Sequence, residues 1–291
     1  MIRLPGNNVE QVFDSYCEYL ALTFGNPSAQ LKRFIDRFKA DPEPPRAEAV
    51  VFTWLSNIGM NPQLNEDPAR GGMDSLCSPP SGNRFFVEVT SISAKALAAD
   101  TGLPVTLGHL RGGAFGIPTP LLQERIKKKM EQMSNAQLPR VLAICSEHPM
   151  VDVVFGATAA QYLFTSTPLI TVPLDTSIQA YEATTLQNSA FFKPDEQRPG
   201  VIVPARQAAS AVLLVPILVH GIRPVGLLHP QPAIPLPLDD WYQTPFIKVR
   251  DWPIKDGKLS VEWTLPYGDP FYVHQRLRLV KPKPETKPRL K

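Results

Sequence analysis

Cysteine is scarce in this chain, with only Cys17, Cys77 and Cys145 among 291 residues. An odd number without paired spacing argues against a disulfide framework and against zinc clusters, and it suits a reducing cytoplasm. Histidine is scarce too. His109, His148, His220, His229 and His274 are scattered, so no two have chelating spacing. Long apolar runs are missing: the longest, residues 211–219, is broken by Pro216 and is far too short to span a bilayer. The segment MIRLPGNNVEQ holds no apolar core of a secretory signal. These absences lead us to expect a cytoplasmic protein with no membrane partner. Familiar nucleotide and nucleophile motifs are absent as well. There is no G-x-x-x-x-G-K-S/T phosphate loop and no G-x-S-x-G elbow, and the glycines of GHLRGGAFG do not form G-x-G-x-x-G after a strand.

Proline, in contrast, is plentiful, at 32 residues, sixteen of them from position 194 onward. Proline breaks long helices, so the C-terminal third is expected to hold short strands and tight turns. A hydrophobic fraction of 43% and a charged fraction of 20% are those of a globular chain. The formal net charge of +3 is carried by the last twelve residues, where five Lys and Arg face Glu285 alone. The remainder is slightly acidic, so any contact with nucleic acid must come from a local patch.

Hydrophobic spacing predicts three helices in the first 60 residues: one through Val9, Val12, Phe13, Tyr16 and Leu20, one capped by Ser28, and one over 46–58 after the separator DPEPPR. Two strands, 71–77 and 84–92, are predicted on either side of the turn SPPSGN. Alternation in RFFVEVTSI puts Phe86, Glu88, Thr90 and Ile92 on one face and Phe85, Val87 and Val89 on the other. Residues 93–116 read as irregular, 119–135 as a basic amphipathic helix and 140–145 as a buried strand. Further on, helices are expected near 157–164 and 177–188, and strands at 210–218 and 225–230, followed by strand-like IKVR and LSVEWTL and a disordered tail.

The chemistry that remains is a set of carboxylates. Glu48 lies on the third helix, Asp74 on the first strand in GGMDSL and Glu88 on the second in FVEVTS. A hairpin places residues on its two strands side by side, so Asp74 and Glu88 can converge. Two carboxylates aimed at one point repel unless a cation lies between them. Mg²⁺ takes such sites, using one or two protein carboxylates with waters and phosphate oxygens, and it activates a bound water toward a phosphodiester.

A helix Glu, then G-G-M-D, then V-E-V in an apolar strand, then a basic helix carrying a Gln, resembles the PD-(D/E)XK nuclease superfamily over residues 46–145, and less fully to about 237. The resemblance implies a restriction-endonuclease-like α/β fold, a mixed sheet flanked by helices. It implies Mg²⁺ or Mn²⁺ held by Asp74 and Glu88, with Glu48 as the helical acid, and DNA as partner with RNA left open. The family's strand lysine is replaced by Thr90, whose hydroxyl can hold a water but supplies no charge. The missing cation would come from Lys128 or Lys129 on the basic helix, or from Lys95. Arg125, Lys128 and Gln132 share one face of that helix and would meet the phosphate backbone. The division expected is N-terminal helices over 1–45, a nuclease-like core over 46–245 and a Pro-rich β extension with a basic tail over 246–291. The function expected is metal-dependent hydrolysis of DNA, in a defence or restriction setting. The alternative is a nuclease-fold protein without catalysis that serves as a nucleic-acid-binding or assembly subunit. A homodimer is compatible with either. A third reading makes the Pro-rich end with Trp241, Trp252 and Trp263 a peptide-binding surface.

Overall fold

The computed structural model describes residues 9–26, 28–65, 72–105, 119–133, 137–165, 180–183, 189–198, 201–218, 221–250, 252 and 259–265. Three helices come first: α1 (Val9–Phe24), α2 (Ala29–Ala40) and α3 (Glu43–Asn57). The strands β1 (Pro62–Leu64), β2 (Ser75–Cys77) and β3 (Phe85–Ser91) follow, then the helices α4 (Ala94–Thr101) and α5 (Thr119–Gln132) and the strand β4 (Arg140–Ser146). Beyond these lie α6 (Val151–Val154), α7 (Ala157–Thr165), β5 (Ala180–Ala183), the small hairpin β6 (Phe192–Pro194) and β7 (Ile202–Pro204), β8 (Ala211–Leu218), β9 (Gly221–Ile222), β10 (Val225–Leu228), β11 (Phe246–Val249) and β12 (Leu259–Trp263).

One mixed sheet organises the molecule, in the order β1-β2-β3-β4-β8-β10-β11-β12-β5, with β9 pairing on β8. The first three strands are antiparallel neighbours, β3, β4 and β8 run parallel, and β8 to β10 is antiparallel. Alternation then sorts side chains between two cores. Phe85, Val87, Val89, Val141, Ala143 and Leu213 face α1, α2 and α3. Ile92, Leu142, Ile144, Val212 and Leu214 face the layer holding α5, α6 and α7. A sheet covered on both faces needs near-continuous apolar strands, which is why RVLAICS in β4 is buried along its whole length. No helix among the described residues is long and apolar enough to cross a membrane.

Several elements depart from the sequence reading. Helix α3 starts at Glu43, three residues before the expected start, because Pro44 and Pro45 fall in its first turn. The first N–H groups of a helix have no intrahelical acceptor, so proline there loses nothing. Residues 94–101, read as irregular, form α4, closed by Ser93, which accepts from Ala96 N–H, and by Gly102 at φ 77°. The helix expected near 177–188 is replaced, where described, by β5, which pairs with β12 at the sheet's far edge. The hairpin β2–β3 lies toward the opposite edge, and β4, β8 and β10 occupy the sheet's centre. Strands β11 and β12, from the Pro-rich end, join the same sheet. The basic tail lies outside the described residues.

Candidate active site

The site forms where the β2–β3 ladder stops. Phe86 N–H and Ile92 N–H donate to Pro139 and Cys145 on the β4 side, so the odd-numbered N–H groups of β3 point toward β2. Pairing runs Cys77 to Phe85, Leu76 to Phe86 and Ser75 to Val87 and stops there, so Asp74, expected on a strand over 71–77, lies just before β2 and not on it. β2 ends before it can offer Val89 a backbone acceptor, and the Asp74 carboxylate takes that N–H instead, at 2.6 Å. A buried N–H needs an acceptor. Asp74 supplies one and is thereby fixed at the end of the hairpin, while its own carbonyl accepts from Asn65 N–H at 3.1 Å.

Glu88 points toward the α5 layer. There the Lys129 ammonium donates to its Oε1 at 2.7 Å, with Glu88 12% and Lys129 24% exposed. The placement of Lys129 follows from how α5 is seated. Leu122, Ile126, Met130 and Met133 are buried against the sheet, and Lys129 flanks that stripe. Lys128 is turned to solvent, and Arg125 is half-buried. The side chain of Gln132 lies outside the described residues. Lys95 is exposed on α4. Thr90 is 8% exposed, on the same face of β3 as Glu88.

Glu48 reaches the other side of Asp74 from α3. Arg37 of α2 grips it through both terminal nitrogens, one of them at 3.2 Å. Between Glu48 and Asp74 is a pocket of about 20 Å³, also lined by Tyr16 and Val89. That is room for one water or one small ion. Burial, then Glu88, then Glu48 raise the Asp74 carboxyl well above the usual carboxylate range, against the Val89 hydrogen bond and the Lys129 charge. The Tyr16 hydroxyl is likewise held well above its ordinary value by burial and by Glu48 and Asp74, so it remains a donor.

A third ion pair joins Arg46 of α3 to Glu147, just after β4, at 2.8 Å. Glu43 accepts from Ala94 N–H at 3.1 Å and so ties the start of α3 to the start of α4. Other reactive groups are silenced. Burial pushes the Cys77 and Cys145 thiols up, away from the thiolate needed for attack. His229, pushed down to about 4 by burial, has its ring bonded to Ala205 O at 2.8 Å. The tryptophans pack inward: Trp241 lies against Trp54 and Phe85, Trp263 is buried, and Trp252 stacks on Phe192. With Trp241 and Trp263 buried, these two rings are not available to a peptide surface.

Among the described residues, no three His, Cys, Asp or Glu side chains are arranged to hold a metal ion by themselves. The acids act in pairs about Asp74, with Glu88 on one side and Glu48 on the other. A pair suits a hard divalent ion, which keeps most of its ligands as water and substrate oxygen. Sequence reasoning missed Arg37 and Tyr16. Arg37 is four residues from Arg33 on α2, but nothing in its spacing points to an acid eleven residues away on another helix.

No protein-family model, curated protein or solved structure matches the chain.

Proposed function

We propose that this protein is a divalent-cation-dependent phosphodiesterase of the PD-(D/E)XK kind that acts on DNA, with Lys129 supplying from α5 the cation that Thr90 does not. One observation carries the reading: Asp74 is fixed between Glu48 and Glu88, where burial and both acids disfavour its charge. Support also comes from element order. A helix with an acid, a hairpin with two acids and a basic helix over them occur in the sequence that carries the resemblance, and α3, β2–β3 and α5 pack around one point.

Mg²⁺ or Mn²⁺ bound at Asp74 and Glu88 would lower the pKa of a water and draw charge from a phosphate oxygen. The chain's own residues do the rest. Asp74, held by Val89 N–H, presents a carboxylate of fixed orientation. Lys129 holds positive charge beside Glu88, where negative charge grows on a scissile phosphate. Thr90 offers a hydroxyl that can accept from and donate to a water. Arg37 keeps Glu48 in place. DNA cleavage assayed with Mn²⁺ tests the reading. Wild type should cut and Glu88→Gln should not, because the amide keeps the shape and loses the charge. Thr90→Lys, which returns a cation to the strand, should leave the rate unchanged if Lys129 already fills that role.

The non-catalytic alternative has one observation in its favour. Both flanking acids already have internal cations, Arg37 on Glu48 and Lys129 on Glu88. DNA binding without cleavage by wild type or Thr90→Lys, over several metals and substrates, would select it.

A further inference from the structure

Two hydroxyls stand where the sequence pattern calls for apolar side chains. Tyr16 continues the buried stripe of α1 between Val12 and Leu20, and Ser75 shares the buried face of β2 with Cys77. Tyr16 is 4% exposed and Ser75 5%. Among the described residues, no hydrogen bond reaches either hydroxyl. Buried hydroxyls in folded chains are almost always partnered, so these two call for an occupant.

Both border the pocket of about 20 Å³ at Asp74, whose other polar walls are Asp74 and Glu48 and whose remaining walls are apolar. Such a space holds one water and no larger molecule. The donors and acceptors match one another. A water gives two hydrogens and accepts two, and the pocket offers two carboxylates that accept and two hydroxyls that can donate. A carboxylate has about four acceptor sites, so Val89 N–H on Asp74 and Arg37 on Glu48 leave room for a further donor. We infer that the pocket holds one ordered water, accepting from Tyr16 and Ser75 and donating to Asp74 and Glu48, and that Tyr16 and Ser75 are positioning residues that act on Asp74 through it. Helix α1, outside the expected nuclease-like core over 46–245, thereby becomes part of the site. Held by Val89 N–H and by this water, the Asp74 carboxylate keeps one orientation before an ion binds. The consequence for the ion rests on the phosphodiesterase reading; the water itself does not.

A crystal structure of the metal-free protein tests the water, and calorimetric titration with Mn²⁺ tests its effect. Wild type should show one water about 2.8 Å from the Tyr16 and Ser75 hydroxyl oxygens. Tyr16→Phe keeps the ring that packs 5.1 Å from Phe34 and from Phe52 and removes only the hydroxyl. It should bind Mn²⁺ about tenfold more weakly, as loss of an outer-shell partner does, with circular dichroism matching wild type. Ser75→Ala, on a different element, should weaken binding in the same direction and keeps the test open should Tyr16→Phe fail to fold. An empty pocket, a metal ion there with oxygen contacts near about 2.0–2.6 Å, or wild-type Mn²⁺ affinity in the folded variants would overturn the inference. The two readings fail separately. A water on Tyr16 and Ser75 in a wild type that binds no Mn²⁺ and cuts no DNA removes the nuclease and keeps the water. Mn²⁺ binding and DNA cleavage indifferent to both variants remove the positioning role and keep the nuclease.

Discussion

Strand β3 interrupts its apolar sequence with Glu88 and Thr90, whereas β8, two strands away in the same sheet, is buried from Ala211 to Ile217 without a charged residue. Both strands are covered by helices, and at the β3 end each acid flanking Asp74 has an oppositely charged partner. An unpaired carboxylate in such a place would be far more costly than the apolar residue it displaces. Packing strength is thus concentrated around β8, β10 and β11. The hairpin end carries charged groups in place of apolar packing.

The largest effect is expected in the apolar half. A methyl group at Gly226 of β10 would land in the ring of Phe246, which is fully buried on the neighbouring strand. Gly226→Ala should cost about 3 kcal/mol in denaturant unfolding, with activity per folded molecule unaffected. A midpoint equal to wild type would show that this half is looser than its packing implies.

Lys129→Ala comes next. It leaves Glu88 without its ammonium partner, and stability should fall by about 1–3 kcal/mol. Added Mn²⁺ should recover part of the loss, since an ion can supply the missing charge. Loss of stability with no recovery would make Lys129 a purely structural partner of Glu88.

Asp74→Asn should act in the opposite direction. Because its carboxyl is raised by burial and by Glu88 and Glu48, the folded protein retains a proton there that the unfolded chain has already released. Stability therefore falls as pH rises from the ordinary carboxylate value through the raised one, and the penalty is complete above it. In EDTA near neutral pH the Asn variant should melt later than wild type, by about 1 kcal/mol, and the difference should vanish as pH falls below the ordinary carboxylate value. A destabilised variant at neutral pH would mean that the Val89 hydrogen bond outweighs the repulsion. The smallest effect belongs to Lys128→Ala, a solvent-facing change expected to stay within about 0.5 kcal/mol and to leave cleavage close to wild type. A loss of cleavage there as large as at Lys129 would shift the cation to the outer face of α5.

Much of this site was legible because it depends on short-range rules. The alternation in RFFVEVTSI separated Glu88 and Thr90 from Val87 and Val89, and a turn-rich SPPSGN implied the hairpin that brings Asp74, just before β2, to the Val89 N–H of β3. Which lysine faces Glu88 was not legible. Lys128 and Lys129 differ by a 100° rotation about α5, and the rotation is fixed by how Ile126, Met130 and Met133 meet the sheet. Proline obscured the start of α3 because a residue that breaks helices is also at home in their first turn. The glycines that follow from Gly102 onward hid α4, although its alanines favour a helix and Ser93 and Gly102 cap it. Arg37 on Glu48 was out of reach, since the two meet only when α2 packs across α3.

Calorimetric titration of metal-free protein with Mn²⁺ asks most directly whether the acids about Asp74 form a site that demands a cation. Wild type should bind Mn²⁺ more tightly than Mg²⁺, as the usual affinity order requires, and should melt later when loaded. Asp74→Asn should lose the heat and the shift together. Equal titrations for wild type and Asp74→Asn, or no binding by either, would contradict the assignment.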